Sequence, residues 1–561
     1  LTFTNYEDEM VLFDGTIPIT TAWDHYEGDI YQTTITEDVW QLFIDDQMMI
    51  NCRWPNINLG DNSIFTRNDY WARGNDNQST TNTMVDAGID SNRDLAGSGL
   101  DLSGAMGILN VRSFETFPRK ITAHEAGSDT FEFNTVLLKA PLWYYAECKL
   151  NLLDVEGEWF FDTTNKTLYV DAPGIGAPTG AVRGKNQAYA MDFAGCDYVV
   201  VDGLNFFATT VKVDNSRNCI LQNSDFEYPS FSRRMLGSES NIEITQLRSG
   251  TNSQDGNTVY NCSFENSDGS ALELKGQNPV IENNYFRNID FSCAGIPGLG
   301  VGIRHGGGSY ALYRRNTIEN FGASSAIGVG QKAITELNHI WSYPGTQLQN
   351  DGACIHRMND ETPGSITRYN WMHDTVKYTV RFDGNPAGKQ GLVHHNVVWN
   401  AGTMRIKGNE HQIYNNSGYD PRGGEKGNIN IATDKHPTPN ADSITMNNVA
   451  DLISESPLPG TASNNWNGLE YGLTVESLMR DPANQDFRPR AGSVLVDGGV
   501  VVAGINDDFV GGQPDIGAYE YGEMNYWIPG RKWEHASTPI PPNGATGVMP
   551  DADLMWLEAL N

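Results

Sequence analysis

From about Asn261 to Asn448 the chain repeats one short pattern, an Asn beside a brief apolar run followed by a second alternating strand and Gly, Asn or Asp turns. The runs are Asn261-Cys262-Ser263-Phe264, Asn284-Tyr285-Phe286, Asn316-Thr317-Ile318, Asn338-His339-Ile340, Asn370-Trp371-Met372, Asn396-Val397-Val398 and Asn415-Asn416, with steps of 23, 32, 22, 32, 26 and 19 residues. No helical period runs through this stretch, and so short a repeat predicts one coil of a right-handed parallel β-helix per unit. A single coil cannot bury its own apolar face, so the core must come from stacking. The unequal steps follow if the sheets stay in register while the loops vary. The Asn side chains are expected to form a ladder, each amide bonding to the next coil.

The second strands form a column: Leu272-Glu273-Leu274-Lys275, Gly302-Ile303-Arg304-His305, Ile327-Gly328-Val329-Gly330, Cys354-Ile355-His356-Arg357, Arg381-Phe382-Asp383, Arg405-Ile406-Lys407 and Ile429-Asn430-Ile431. Side chains alternate along a strand. With Leu274, Ile303, Val329, Ile355, Phe382, Ile406 and Ile431 inward, the outward stripe carries Glu273, Lys275, Arg304, His356, Arg381, Asp383, Arg405 and Lys407. Coils stack about 4.8 Å apart, so these groups form one charged face, the candidate active site.

The flanks read differently. Residues 1–111 are expected to hold an N-terminal cap and first coils, and residues 112–185, with Phe131-Glu132-Phe133, Trp143-Tyr144-Tyr145, Trp159-Phe160-Phe161 and Leu168-Tyr169-Val170, an inserted antiparallel β-domain. Asp162 to Thr167 is its hairpin turn. The β-helix then occupies 186–525, interrupted by an excursion from Pro229 to about Ser253. Residues 526–561 read as a linker and the start of a truncated β-sandwich module, as though the chain stopped inside a larger protein.

Composition narrows the partners. The 561 residues carry 38 basic and 70 acidic side chains, net −32. That balance argues against nucleic acid and anionic membrane surfaces, and no apolar run is long enough to span a bilayer. The charged stripe is locally basic against this background. The chain begins at Leu1 without a signal-like segment, which fits an export peptide already removed and a secreted, periplasmic or cell-surface bacterial protein. Seven dispersed Cys without a CxxC pair specify no disulfide framework. A monomer is expected.

The coil pattern, the ending Asp486-Phe487-Arg488-Pro489 to Pro514-Asp515-Ile516-Gly517-Ala518-Tyr519-Glu520, and the early Leu42-Phe43-Ile44-Asp45 with Arg53-Trp54-Pro55-Asn56 resemble the pectate-lyase-like β-helix superfamily of carbohydrate-active enzymes. The early segments, with Gly157-Glu158-Trp159-Phe160, resemble its glycoside hydrolases whose helix carries an inserted β-domain. Lys275-Gly276 followed by Arg304-His305-Gly306 is similar to the Lys, then Arg-His, signature of β-helical alginate and chondroitin B lyases. That resemblance implies Lys275 as base, Arg304 as acid, and Ca²⁺ near acidic residues such as Asp268 and Glu273, although the paired glutamates of that family are not reproduced. Otherwise no cofactor is expected to be required.

Glycoside hydrolysis needs two carboxyl groups, about 5–5.5 Å apart for retention and about 6.5–9.5 Å for inversion. Glu273 and Asp383 stand four coils apart, too far, so Asp351 and Asp374 are the partners expected for Asp383, assisted by His356 and His373. The alternative makes Asp351 and Asp374 turn residues bonding their own backbone. Elimination instead needs a base beside a cation that neutralises a uronate, which Lys275 and Arg304 would supply as vertical neighbours. Glu273, His305, Arg357, Arg381, Arg405, Lys407 and Tyr378 are the expected substrate contacts, because Arg pairs well with sulfate or carboxylate oxygens. The expectation is hydrolysis of an anionic, sulfated or uronate-containing, algal polysaccharide. A lyase and a non-catalytic polysaccharide-binding β-helix are the alternatives.

Overall fold

The structure, a computed structural model, describes all residues except 8, 59–62, 113, 241, 250–255, 295–299, 323, 343–347, 349–350, 377, 385, 421–428, 433–440, 457–459 and 561, together with the side chains of 432, 454–456 and 469. Among the described residues three long sheets build a parallel β-helix. Sheet 1 has twelve strands from Thr2–Thr4 to Thr461–Ser463, and sheet 2 has twelve from Val11–Asp14 to Trp466–Asn467. Sheet 3 has eleven, from Tyr189–Asp192 to Ile453–Ser456. Each coil but the last, which adds no strand to sheet 3 among the described residues, contributes one strand to each sheet, and like strands of successive coils pair in parallel.

Stacking makes the core. Phe13, Phe206, Phe226, Phe264 and Phe286 form one pile with successive ring centroids 5.4, 4.6, 4.8 and 5.1 Å apart, close to the inter-strand spacing of about 4.8 Å. At the corner between sheets 1 and 2 the ladder runs Asn284, Asn316, Asn338, Asn370, Asn396, Asn416, Asn448 and Asn465, each Nδ2 donating to the next Oδ1 at 2.9–3.0 Å. The amides saturate buried turn groups that no sheet can reach. Two expected rungs shift by one residue. Cys262, not Asn261, takes the ladder position, its N–H donating to Asn284 Oδ1 at 2.9 Å, and Asn416 replaces Asn415. The preceding Asn261 and Asn415 adopt the left-handed conformation that turns the corner (φ 53° and 48°), which Asn tolerates well.

The insertion is wider than 112–185. Thr2–Thr4 and Val11–Asp14 pair with Val200–Asp202 and Leu204–Phe207, so the first coil is interrupted almost at once. Sheets joined mainly by antiparallel pairs then extend from Thr16–Pro18 to Val182–Lys185. The hairpin turn lies where expected, between Glu158–Asp162 and Thr167–Asp171. Buried charges fasten this domain to the helix. Lys185 Nζ lies 2.5 Å from Glu243 Oε1 with both side chains sealed from solvent, and Arg234 binds Glu147 and, at 2.7 Å, Asp268. The excursion from Pro229 contains a regular strand of sheet 3, Thr245–Arg248.

The stretch after 525 is not a free linker. Tyr526, Trp527 and Ile528 pack against Trp371, Tyr519 and neighbouring apolar groups on the outer face of sheet 2. The segment then runs back along the coils, with Gly530 N donating to Leu337 O, Arg531 N to Thr317 Oγ1 and Lys532 N to Asn283 Oδ1, at 2.8, 2.9 and 2.7 Å. Burying that aromatic run is what holds it there. Beyond it, Ser537–Ile540 and Met555–Leu557 form a two-stranded antiparallel ribbon. Among the described residues no helix is long and apolar enough to cross a membrane.

Candidate active site

Sheet 3 presents the charged face. In register on successive coils stand Gln246, Glu273, Arg304, Gly328, His356, Arg381, Arg405 and Asn430. Glu273, Arg304, His356, Arg381 and Arg405 thus share one column, brought together from more than 130 residues of chain. Two residues further along the strands, Asp383 and Lys407 form a second outward pair.

Asp383 is the centre of the cluster. Its Oδ2 lies 2.5 Å from Arg381 Nη2 and 4.0 Å from His356 Nε2, and its Oδ1 accepts from Lys407 Nζ. Burial acts to raise the Asp383 carboxyl, but Arg381 and Lys407 outweigh it and hold the group below the usual Asp range. His356 faces the opposite pressure. Burial, reinforced by Arg381, pushes its ring down to about 4 against the pull of Asp383, so it is neutral at pH 7. Ser325 Oγ lies 3.2 Å from its Nδ1, while Nε2 is buried without a hydrogen-bond partner among the described residues.

Arg381 also reaches Asp351. Its Nη1 donates to the Asp351 backbone oxygen and lies 3.9 Å from Oδ1. One guanidinium therefore reaches two carboxylates, whose nearest oxygens are no more than about 9 Å apart, within the upper limit of about 9.5 Å for an inverting pair. Asp351 turns the corner into this strand with φ 64° and keeps 43% of its side chain exposed. Tyr378 lies between the two arginines, its ring 5.1 and 5.4 Å from their guanidinium carbons and its hydroxyl accepting from Arg405 Nη1 at 2.7 Å.

Other expected residues lie elsewhere. Arg357 pairs in register with Phe382, not with the outward column, and is fully buried. It crosses the interior to donate to Thr335 Oγ1, Thr367 Oγ1 and Ile366 O on sheet 1 at 3.0, 3.0 and 3.0 Å, and burial pushes it down to about 10. His305 pairs with Leu274, its ring nitrogens 3.1 and 3.2 Å from the carbonyls of Val329 and Gly276, so it braces neighbouring coils. His373 and Asp374 belong to sheet 2 and its corner. His373 stacks between Trp341 and Trp399, meets His339 Nε2 at 2.8 Å and Asp374 Oδ2 at 2.6 Å. His373 and Asp374 stand apart from Asp383 because a coil carries consecutive strands to different faces.

Lys275 and Arg304 are not vertical neighbours. Glu273 is paired with Arg304, and Lys275 lies diagonally from it on the preceding strand. Asp268 and Glu273, the acids nearest the lyase-like signature, are each held by an arginine, Arg234 at 2.7 Å and Arg248 at 2.5 Å. A carboxylate already paired this way is a poor Ca²⁺ ligand, and among the described residues no group of three or more His, Cys, Asp or Glu is arranged to hold a metal ion. Ser325 was not foreseen as the partner of His356, although extending the strand alignment two residues toward the N-terminus would have found it.

No family profile matches the sequence, and no curated protein matches it. Among solved structures the chain is similar to one described as a glycoside hydrolase, with a TM-score of 0.50 and 12% identity over 76% of this chain and 82% of that one. A structure of XylC with xylose gives 0.31 and 11%, over 82% and 68% of the two chains. A GH87 alpha-1,3-glucanase catalytic domain with tetrasaccharides gives 0.23 and 10%, over 80% and 97%. The first of these likenesses extends to the fold: an all-β chain of long parallel sheets with a smaller antiparallel part.

Proposed function

We propose that the chain is a glycoside hydrolase that degrades an anionic polysaccharide, with Asp383 and Asp351 as its carboxyl pair. The observation that carries this reading is the pair itself, set on either side of Arg381 on the outward face of sheet 3. Asp383, kept ionised by Arg381 and Lys407, acts as the base that takes a proton from the attacking water. Asp351 protonates the leaving oxygen. The surplus of Arg and Lys over acids at this face supports an anionic substrate. A location outside the cytoplasm goes with a substrate too large to cross a membrane.

The test is release of reducing ends from a panel of sulfated and uronate-containing polysaccharides. Asp383→Asn and Asp351→Asn are each expected to lose at least a thousandfold in kcat while staying folded. An active Asp383→Asn would overturn the assignment, and binding without cleavage by wild type would point to a non-catalytic binding protein. A lyase is the second reading, favoured by His356: a neutral ring with an unpartnered Nε2 beside the Arg381 guanidinium is the base and cation that elimination requires. Ultraviolet absorbance of unsaturated uronates during digestion would replace hydrolysis by elimination.

A further inference from the structure

The cations of sheet 3 divide into two kinds. Lys212 and Arg248 are held by Asp192 and Glu273 at 3.1 and 2.5 Å, and Arg381 and Lys407 both by Asp383. Arg405 is engaged by Tyr378. Lys275 and Arg304, on adjacent coils, have neither an ion pair nor a side-chain hydrogen bond to any described residue, though both are half-buried. In a chain of net charge −32, two neighbouring cations in no ion pair are conspicuous, since the one acid beside them, Glu273, is taken by Arg248.

The floor beside them is bare. Gly328 occupies the column between Arg304 and His356, and Gly306, Gly307, Gly308 and Gly330 border it. Two of these positions exclude any side chain. A Cβ on Gly308 (φ 127°) would lie 1.8 Å from Gly276 O, and one on Gly330 (φ 72°) 2.2 Å from His305 Nδ1. Between the free cations and the Asp383 cluster the outward column carries no side chain, at Gly328. Arg304 and Arg381 are three strand steps apart, about 14 Å at about 4.8 Å per step, more than one sugar ring covers.

We infer that Lys275 and Arg304 form a distal subsite that binds a sulfate or carboxylate group of the polysaccharide several sugars away from the bond at Asp383. This inference rests on sheet 3 being a polysaccharide groove, and it assigns Lys275 and Arg304 a specificity role in place of acid-base chemistry. Near Asp383 the basic groups Arg381 and Lys407 are already neutralised, so the anion is read at a distance, with sugars extending toward the N-terminal coils.

Two measurements test it. The first is affinity electrophoresis of wild type, Lys275→Ala/Arg304→Ala and a charge-matched Lys139→Ala/Lys389→Ala control, in gels containing dextran sulfate or unsulfated dextran. The distal variant should bind dextran sulfate at least tenfold more weakly than wild type, with the control within twofold and no difference on dextran. Equal losses in the two variants would overturn the subsite. The second uses size-fractionated oligosaccharides of whichever anionic polymer wild type cuts. For octasaccharides the distal variant should raise KM about tenfold at unchanged kcat, and for trisaccharides neither constant should move. Loss of kcat, or an equal change on short and long substrates, would overturn it. Failure of wild type to cut any anionic polymer would remove the proposed activity, whereas the dextran sulfate measurement still decides the subsite.

Discussion

Removing one rung of the Asn ladder should cost far more than a polar-to-Ala change usually does. Asn338 is fully buried. Its Nδ2 donates to Tyr313 O, Glu336 O and Asn370 Oδ1 at 3.0, 3.1 and 3.0 Å, and its Oδ1 accepts from Asn316 N and Nδ2 at 3.0 and 2.9 Å. The amide has two protons to share among three acceptors, so roughly four bonds are lost in Asn338→Ala, at about 1 kcal/mol each. The expected loss is about 4 kcal/mol, with the Asn316 N–H left buried and unpaired. Urea unfolding, with hydrogen exchange as the local readout, checks it: protection should fall first in the coils around Asn316, Asn338 and Asn370, since each coil is stabilised mainly by its neighbours. Asn338→Asp keeps the acceptor but loses both donors and buries a charge, so it should be at least as damaging. A loss below about 1 kcal/mol in Asn338→Ala would refute the bond count on which the reasoning stands.

Lys185→Met should destabilise by about 3–5 kcal/mol because it leaves Glu243 buried without a counter-charge, and Lys185→Met/Glu243→Leu should recover much of that in thermal unfolding. Arg357→Ala should lower stability by about 2–4 kcal/mol through its lost packing and orphaned Thr335 and Thr367 hydroxyls, yet leave kcat/KM of the folded fraction unchanged; a selective loss of activity would return Arg357 to the groove. The folded rings of His356 and His411 take up a proton only at about 4, and that of His395 at about 3, chiefly because they are buried. Below about pH 6.5 the unfolded chain protonates these rings first, so each favours unfolding as the pH falls, against Glu158, Asp290 and Glu520, whose burial raises them to about 9, 8 and 8 and acts in the opposite direction. Titration of the ring resonances by NMR should find His356, His411 and His395 still neutral at about pH 5, and a ring already charged there would contradict its burial.

How far the site could be read in advance depends on which residue pairs are in question. The column of Glu273, Arg304, His356, Arg381 and Arg405 was legible because a strand's period of two fixes which side chains share a face, and apolar residues mark the inner one. The same rule turns Arg357 and His305 inward, two residues after Ile355 and Ile303, and the structure agrees with it; what misplaced them among the substrate contacts was their polar chemistry, which marks a groove residue only when the alternation also points outward. Arg357 is held there because Thr335, Thr367 and the Ile366 carbonyl, on another sheet, accept from its Nε and Nη2, while Nη1 is buried without a hydrogen-bond partner among the described residues. His373 and Asp374 looked close to Asp383 in sequence, but a corner intervenes and turns them onto sheet 2.

By itself, the sequence determined the repeat, the ladder to within one residue and the identity of the charged face, since each follows from local alternation and a recurring Asn. Only the tertiary structure decided the lateral register between coils, and with it that Arg304 lies over Glu273 rather than beside Lys275, that Asp383 is clamped by Arg381 and Lys407, and that residues 526–533 run back along sheet 2. Loops of unequal length hide how one coil aligns with the next. That alignment is settled by which side chains pack and which buried polar groups find partners across the stack, a sum over contacts that no single repeat contains.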